Sequence, residues 1–391
     1  MMRWLLRNFG MITRQCLFAL PVPLFAGMVL QSVSVTSKVF AASTSPSSIG
    51  KAKQQAEAKG FIFETSHDEI VAKARQEGKL RALIGWDPPN HPHLLAAFKK
   101  KYPFIEVHLE EISGSAAAQR FFLELKADRV RNWDILHINT EHYDEFPPYL
   151  KKFDISGMAE HRVLAIPEGM IDPKSRRSVA LGNIVDVVGY NSKLISPEKV
   201  PNKLEDFLKP EFKGRKFLAD IRPRAYAALV PELGLSWMIE YARKLAAQEP
   251  VWIRGFTRAY TSILAGEHSL HSFGNYNAII RVARRDPKGS LSFKVVEPVP
   301  VRIHEPQGVF HRADHPYAAL LWLEFQAGPE AQKIIDQYEP LKSSIYAPGS
   351  ELEKLIRGRR VSLKAWDNLE ESNKWMGLLT QAFGFPKAQR Q

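Results

Sequence analysis

The chain has 391 residues and carries 54 Lys and Arg against 42 Asp and Glu, a net charge of +12. Hydrophobic residues make 45% and charged residues 25%, the balance of a folded chain with length for two or three domains, which excludes wholesale disorder and collagen-like or low-complexity architectures. The single cysteine, Cys16, excludes an intramolecular disulfide framework, a zinc knuckle or an iron–sulfur cluster, and the scattered bases form no stripe of the kind that binds nucleic acid.

In chain order, the first segment reads as an export leader. Arg3, Arg7 and Arg14 precede an apolar run at 16–30, short for a membrane span and interrupted by Pro21 and Pro23. No acidic residue occurs before residue 42, and Val39-Phe40-Ala41 offers a cleavage site. Residues 1–41 are therefore expected to be a signal peptide, removed after about Ala41, with the mature protein in the periplasm. Met11 is an alternative start. Thr13-Arg14-Gln15 before Cys16 lack the small, apolar character of a lipoprotein site. Residues 42–391 contain no cysteine, which is compatible with an oxidising compartment.

Residues 42–78 read as a polar linker followed by a charged helix that Gly78 ends. A strand–helix alternation follows: strand at 81–86, helix through Leu94, Leu95 and Phe98, strand at 104–112, helix through Ala118, Phe121, Phe122 and Leu125, strand at 133–138. This pattern predicts a parallel sheet with right-handed crossovers, whose ligands bind at the carboxyl ends of the strands. A second unit has strands at 184–190 and 217–219 and helices at 225–229 and 237–245. Pro298 and Pro300 make the extended stretch 293–301 read as linker or edge rather than central strand. From Pro316 onward the pattern is largely helical.

Several segments resemble one family, the extracellular solute-binding proteins of ABC importers, of the ferric-iron-binding type. Tyr190-Asn191-Ser192-Lys193-Leu194 resembles the strand end after the family's first crossover. Leu204-Glu205-Asp206-Phe207-Leu208 with Pro210-Glu211-Phe212-Lys213-Gly214 resembles its W-x-D-L-x-x-P-x-W-K-G-K segment, with Leu204 in place of Trp. Ile263-Leu264-Ala265-Gly266-Glu267, and His315-Pro316-Tyr317-Ala318-Ala319 running to Gly328-Pro329-Glu330-Ala331-Gln332, resemble two further segments in the same order. The resemblance implies an α/β, two-lobed (type II) periplasmic-binding-protein fold. Two parallel-type sheets flanked by helices would be joined by two crossover strands, with residues 79–185 and 302–338 in lobe 1 and residues 186–301 and 339–391 in lobe 2. It also implies a small solute captured between the lobes, hinge closure, an ABC permease with a cytoplasmic ATPase as partner, no cofactor, and a monomer.

The residues for such a cleft are read as follows. Ser113-Gly114-Ser115 precedes a helix, where free amides and hydroxyls either bind an anion or simply cap the helix, with Arg120 one turn on. In Asp220-Ile221-Arg222-Pro223-Arg224, Arg222 and Arg224 stand ready to grip a carboxylate or phosphate, or one of them pairs with Asp220. Trp86, Asp87 and His91 occupy the exit loop of the first strand, where Trp86 either stacks on a ligand or belongs to the core. His91-x-His93 is too little for a metal site. Asn139 and Thr140 follow the third strand and either contact ligand or cap the next turn. Tyr190 closes the crossover strand. Asn275-Tyr276-Asn277 falls where iron-binding members of the family carry adjacent tyrosines. Only Tyr276 remains, and Arg131-Asn132 lacks the acidic residue those members use. Ferric ion requires anionic oxygen ligands, so these departures favour a small organic anion held by Tyr276, Asn275 and arginines. Ferric iron, with Tyr276 and His91 as ligands, is the alternative, and a ligand-sensing receptor subunit is a second one. The chain has no GxSxG, HExxH, Walker A or GxGxxG sequence and reads as a binder rather than an enzyme.

Overall fold

The computed structural model describes residues 46–112 and 114–384. The leader, its cleavage site and Ser113 lie outside the described residues, as does the side chain of Ser115. Ten strands are described: β1 (Lys79–Ile84), β2 (Glu106–Glu111), β3 (Ile135–His137), β4 (Ser178–Asn191), β5 (Leu218–Asp220), β6 (Val251–Ile253), β7 (Leu270–Asn275), β8 (Leu291–Lys294), β9 (Val299–Val309) and β10 (Val361–Lys364). They form one continuous mixed sheet in the order β2-β1-β3-β9-β4-β7-β5-β6, with β10 also on β9 and β8 also on β4. The two separate parallel-type sheets expected from the sequence are thus replaced by one sheet. The cause is β4, whose first half pairs antiparallel with β9 and whose second half pairs antiparallel with β7 and β8.

At either end of this sheet the pairing is parallel, β1 with β2 and β3, and β5 with β6 and β7. Those are the segments where strand and helix alternate in sequence, as a crossover connection demands. The charged helix expected before β1 is two helices, Pro46–Ala58 and His67–Glu77. Ser66 accepts the Asp68 N–H at the start of the second, and Gly78 ends it in the left-handed conformation (φ 68°) with its N–H on Ala74 O.

The stretch 293–301 departs most from expectation. β9 is a central strand, with β4 along one edge and β3 and β10 sharing the other. Pro298 precedes it, and Pro300 lies where β9 has not yet begun to pair with β4, so neither proline removes a hydrogen bond from that ladder.

Hydrophobic side chains collect in separate clusters. One packs β1, β3 and the helix Pro316–Ala327, which is apolar nearly all round, and it includes fully buried Trp86, Phe98 and Trp322. Another gathers Phe207, Phe217, Tyr226, Tyr241 and Phe273 under the helix Leu369–Ala382, and a third holds Tyr260, Ile263, Ile279, Val299 and Val301. Among the described residues no helix is long and apolar enough to cross a membrane.

Candidate functional site

The carboxyl ends of β1, β3, β5 and β7 converge on a pocket of about 360 Å³, floored by β4 and β9. This is within the range of small-molecule sites, roughly 300–1,000 Å³. Gly114 and Ala118, from the first turns of the helix Gly114–Lys126, line one side. Asn139, Thr140 and Glu141 follow β3, Arg224 follows β5, and Asn275 ends β7. The chain's later excursions add Lys342, Lys364 from β10, and Leu369, Asn373 and Met376 from the last helix.

Cations from separate elements meet here. Arg302 on β9 is almost fully buried and makes a bidentate pair with fully buried Asp186 on β4, its Nη2 donating to Asp186 Oδ2 at 3.0 Å and to Asn275 Oδ1 at 3.0 Å. Arg224 follows a tight turn in which its N–H donates to Arg222 O, and its guanidinium makes no ion pair among the described residues. Burial, with Arg302 and Arg222 nearby, lowers its pKa. Lys364 is pushed down to about 8 by burial, with Arg302 and Arg224 adding repulsion and Glu141 opposing them in part. Lys342 is also lowered, chiefly by burial, and its Nζ lies 3.3 Å from His304 Nε2. Burial, reinforced by Lys342, His137 and Arg302, holds His304 well below the ordinary imidazole value, so it is neutral at pH 7.

One strong acidic feature faces this set. Glu305 is completely buried, and its Oε1 accepts the Gly85 N–H (2.7 Å) and Gln307 Nε2–H (2.7 Å). His137 Nδ1 lies 3.4 Å away. Burial opposes the charged form, but His137 and these donors outweigh it and hold the carboxyl below its usual range.

Of the residues singled out from sequence, Gly114, Asn139, Thr140, Arg224 and Asn275 line the pocket. Asn139 also caps the turn after β3, accepting the Glu141 N–H. The others whose side chains are described stand elsewhere, each for a local reason. Trp86 is core, with Nε1 donating to Gln326 Oε1 and its ring edge-on to His304. Asp87 pairs with Arg281 at 3.3 Å, and the His91 ring is bound to Trp86 O at 2.7 Å. Tyr190 is buried in the cluster beside Val188. Arg222 is the arginine that pairs with Asp220, through Nε and Nη2 at 3.0 Å each. Tyr276 packs edge-on against Phe293 and lines a different hollow. Arg120 is exposed on its helix.

Sequence reasoning missed His137, Arg302, His304, Glu305, Lys342 and Lys364. A signal for β9 was present: Val299, Val301 and Ile303 alternate with Arg302 and His304, the two-residue period of a strand with one polar face. No comparable local signal marks Lys342 or Lys364.

No family model matches this chain, and no curated protein matches its sequence. Solved structures do match in fold. The Trichodesmium protein IdiA (FutA), determined with iron and citrate ligands, superposes with a TM-score of 0.62 at 17% identity, covering 78% of this chain and 99% of that one. The Bordetella ferric binding protein gives 0.62 at 15% identity, covering 78% and 98%. The substrate-binding protein of an Agrobacterium tumefaciens ABC transporter gives 0.56 at 15%, covering 79% and 96%. The chain therefore has the periplasmic-binding-protein fold of these ferric-ion and ABC-transporter binding proteins, as the sequence resemblance led one to expect.

Proposed function

We propose that this chain is the substrate-binding component of an ABC importer and that it captures a small organic anion in the pocket at the strand ends. The observation that carries the reading is the convergence of Arg224, Arg302 and Lys364 from three separate elements on one pocket, with Arg224 and Lys364 unpaired among the described residues. Partly buried cations without counter-charges are costly, and an incoming carboxylate, phosphonate or phosphate offsets that cost through charge-assisted hydrogen bonds. The leader, periplasmic location, permease partner and hinge closure belong to the same proposal. In it, residues 79–185 and 302–338 move against residues 186–301 and 339–391, with β4 and β9 as the connecting strands. Ligand shifts the open–closed balance only through its higher affinity for the closed form. No reaction is proposed.

Ferric ion as cargo is the second reading, favoured by solved neighbours that are iron-bound or ferric-binding proteins. A bare ferric ion fits this pocket poorly. It needs several anionic oxygens, whereas the cations outnumber Glu305 and Glu141, and Tyr276 faces away. Among the described residues no group of three or more His, Cys, Asp or Glu is placed to hold a metal ion. Iron delivered with a chelating carboxylate fits the cations better. A thermal-shift screen of the purified mature chain against di- and tricarboxylates, alkylphosphonates, phosphate, ferric nitrilotriacetate and ferric citrate decides between them. Stabilisation by metal-free anions is expected. Stabilisation by ferric salts alone, with a visible tyrosinate–iron absorption band, overturns the anion reading.

A further inference from the structure

We propose that the pocket is shaped for a dipolar guest: an anion that also carries an ammonium or hydroxyl group, which donates to the free Oε2 of Glu305 while the anionic end meets Arg224 and Lys364. This rests on the reading of the pocket as a site for a small anion and narrows its substrate class.

The argument begins with an unmatched atom. Glu305 is 0% exposed, and both protein N–H donors that reach its carboxylate, Gly85 N and Gln307 Nε2, go to Oε1. Among the described residues Oε2 is buried with no hydrogen-bond partner, although Glu305 lines the pocket. Buried carboxylate oxygens are ordinarily satisfied, so an orphan at a pocket wall points to a donor that arrives from outside.

Among the described residues no protein group makes a hydrogen bond to Oε2: Lys342 Nζ is directed at His304, and His137 Nδ1, also without a hydrogen-bond partner, lies 3.4 Å from Oε1. The local backbone is arranged around the carboxylate as well. Glu305 holds a left-handed φ of 52° within β9, a conformation that is strained for a non-glycine residue. Gly85 leaves room for it, since a Cβ there would fall 2.5 Å from Oε2.

The acidic and basic poles come from different parts of the sheet. Gly85 follows β1, His137 and Glu305 belong to β3 and β9, while Arg224 follows β5 and Lys364 lies on β10. Both poles face one pocket of about 360 Å³, so one small molecule can engage both. An anion with no donor group leaves Oε2 unsatisfied and meets the Glu305 charge, and a cation with no anionic group meets Arg224 and Lys364. Only a molecule carrying both groups is matched at each end.

The test compares matched pairs on the wild-type mature chain by isothermal titration calorimetry: 4-aminobutyrate with butyrate, and 3-aminopropylphosphonate with propylphosphonate. The amino member of at least one pair should bind about tenfold more tightly than its partner, the lower end of what a charge-assisted hydrogen bond supplies. Glu305→Gln should shrink that ratio to about twofold while leaving affinity for the des-amino member equal or higher. A circular dichroism melt establishes whether the variant folds, and the wild-type ratio stands on its own if it does not. Equal or tighter binding of the des-amino members overturns the dipolar inference and leaves the anion reading intact. Binding of no probe at millimolar concentration, with ferric salts alone binding, overturns both.

Discussion

The strand-end pocket measures about 360 Å³, and the hollow lined by Tyr276, Arg284, Asp336 and Lys354 about 640 Å³. The larger hollow contains charges of both signs, but they answer one another at the surface: Lys354 pairs with Glu351 at 2.8 Å with both side chains more than half exposed, and Arg284 donates to Gln337 O. In the smaller pocket, wholly or partly buried charges from distant parts of the chain meet, and Arg224 and Lys364 have no counter-charge among the described residues. Volume does not identify the site here. The free energy held in desolvated, incompletely matched groups does, because only that free energy is available to a ligand.

The difference can be broken first through stability. Asp186→Ala should lower the unfolding free energy by about 3 kcal/mol or more, since it strands the almost buried Arg302 guanidinium, and urea denaturation reads this directly. If an anion relieves that stranded charge, the variant should gain more from ligand than the wild type does. The next effect is on affinity. Arg224→Ala should weaken the anion that stabilises the wild type by about tenfold or more. Arg222→Ala, two residues away, should lower the melting temperature and leave affinity within about twofold, because Arg222 serves Asp220. Tyr276→Phe should leave affinity unchanged by calorimetry, and a marked loss there would move the site to the larger hollow.

A pH series sharpens the same contrast. Lys364 titrates at about 8 in the folded chain, against an ordinary lysine value of 10.5. It is protonated below 8, so anion affinity should fall as pH rises from 7 to 9, and Lys364→Met should flatten that fall. The linkage to stability has the opposite sign. Between about 8 and 10.5 the unfolded chain holds a proton that the folded one lacks, so this group makes the ligand-free protein more stable as pH rises. The smallest effect belongs to the outer hollow: Glu351→Ala removes an exposed pair and should change stability by less than about 0.5 kcal/mol.

The parallel ends of the sheet were legible because their strands and helices alternate with clear periods, and the strand-to-helix turns that carry Gly114, Asn139 and Arg224 follow from that alternation. The joining of the halves was not. The long pairing of β4 with β9 is a contact between segments more than a hundred residues apart, and no local pattern encodes it. The prolines near the start of β9 concealed a strand whose polar face carries Arg302 and His304. Lys342 and Lys364 reach the pocket from the chain's C-terminal return, where an isolated lysine in sequence looks like any solvated one. Asp220 illustrates a further limit. Two arginines follow it, and only the turn geometry decides that Arg222 closes on it while Arg224 is left for the pocket.

The strands that tie the sheet together also carry charges at the pocket, with Arg302 and Glu305 on β9 and Asp186, the partner of Arg302, on β4. If the pocket and the closure are as proposed, selectivity and mechanical compliance are written into the same residues. A substitution that retunes what the pocket accepts also changes the stiffness of the connection, so a laboratory that evolves a new guest for this scaffold should find altered motion among its winners.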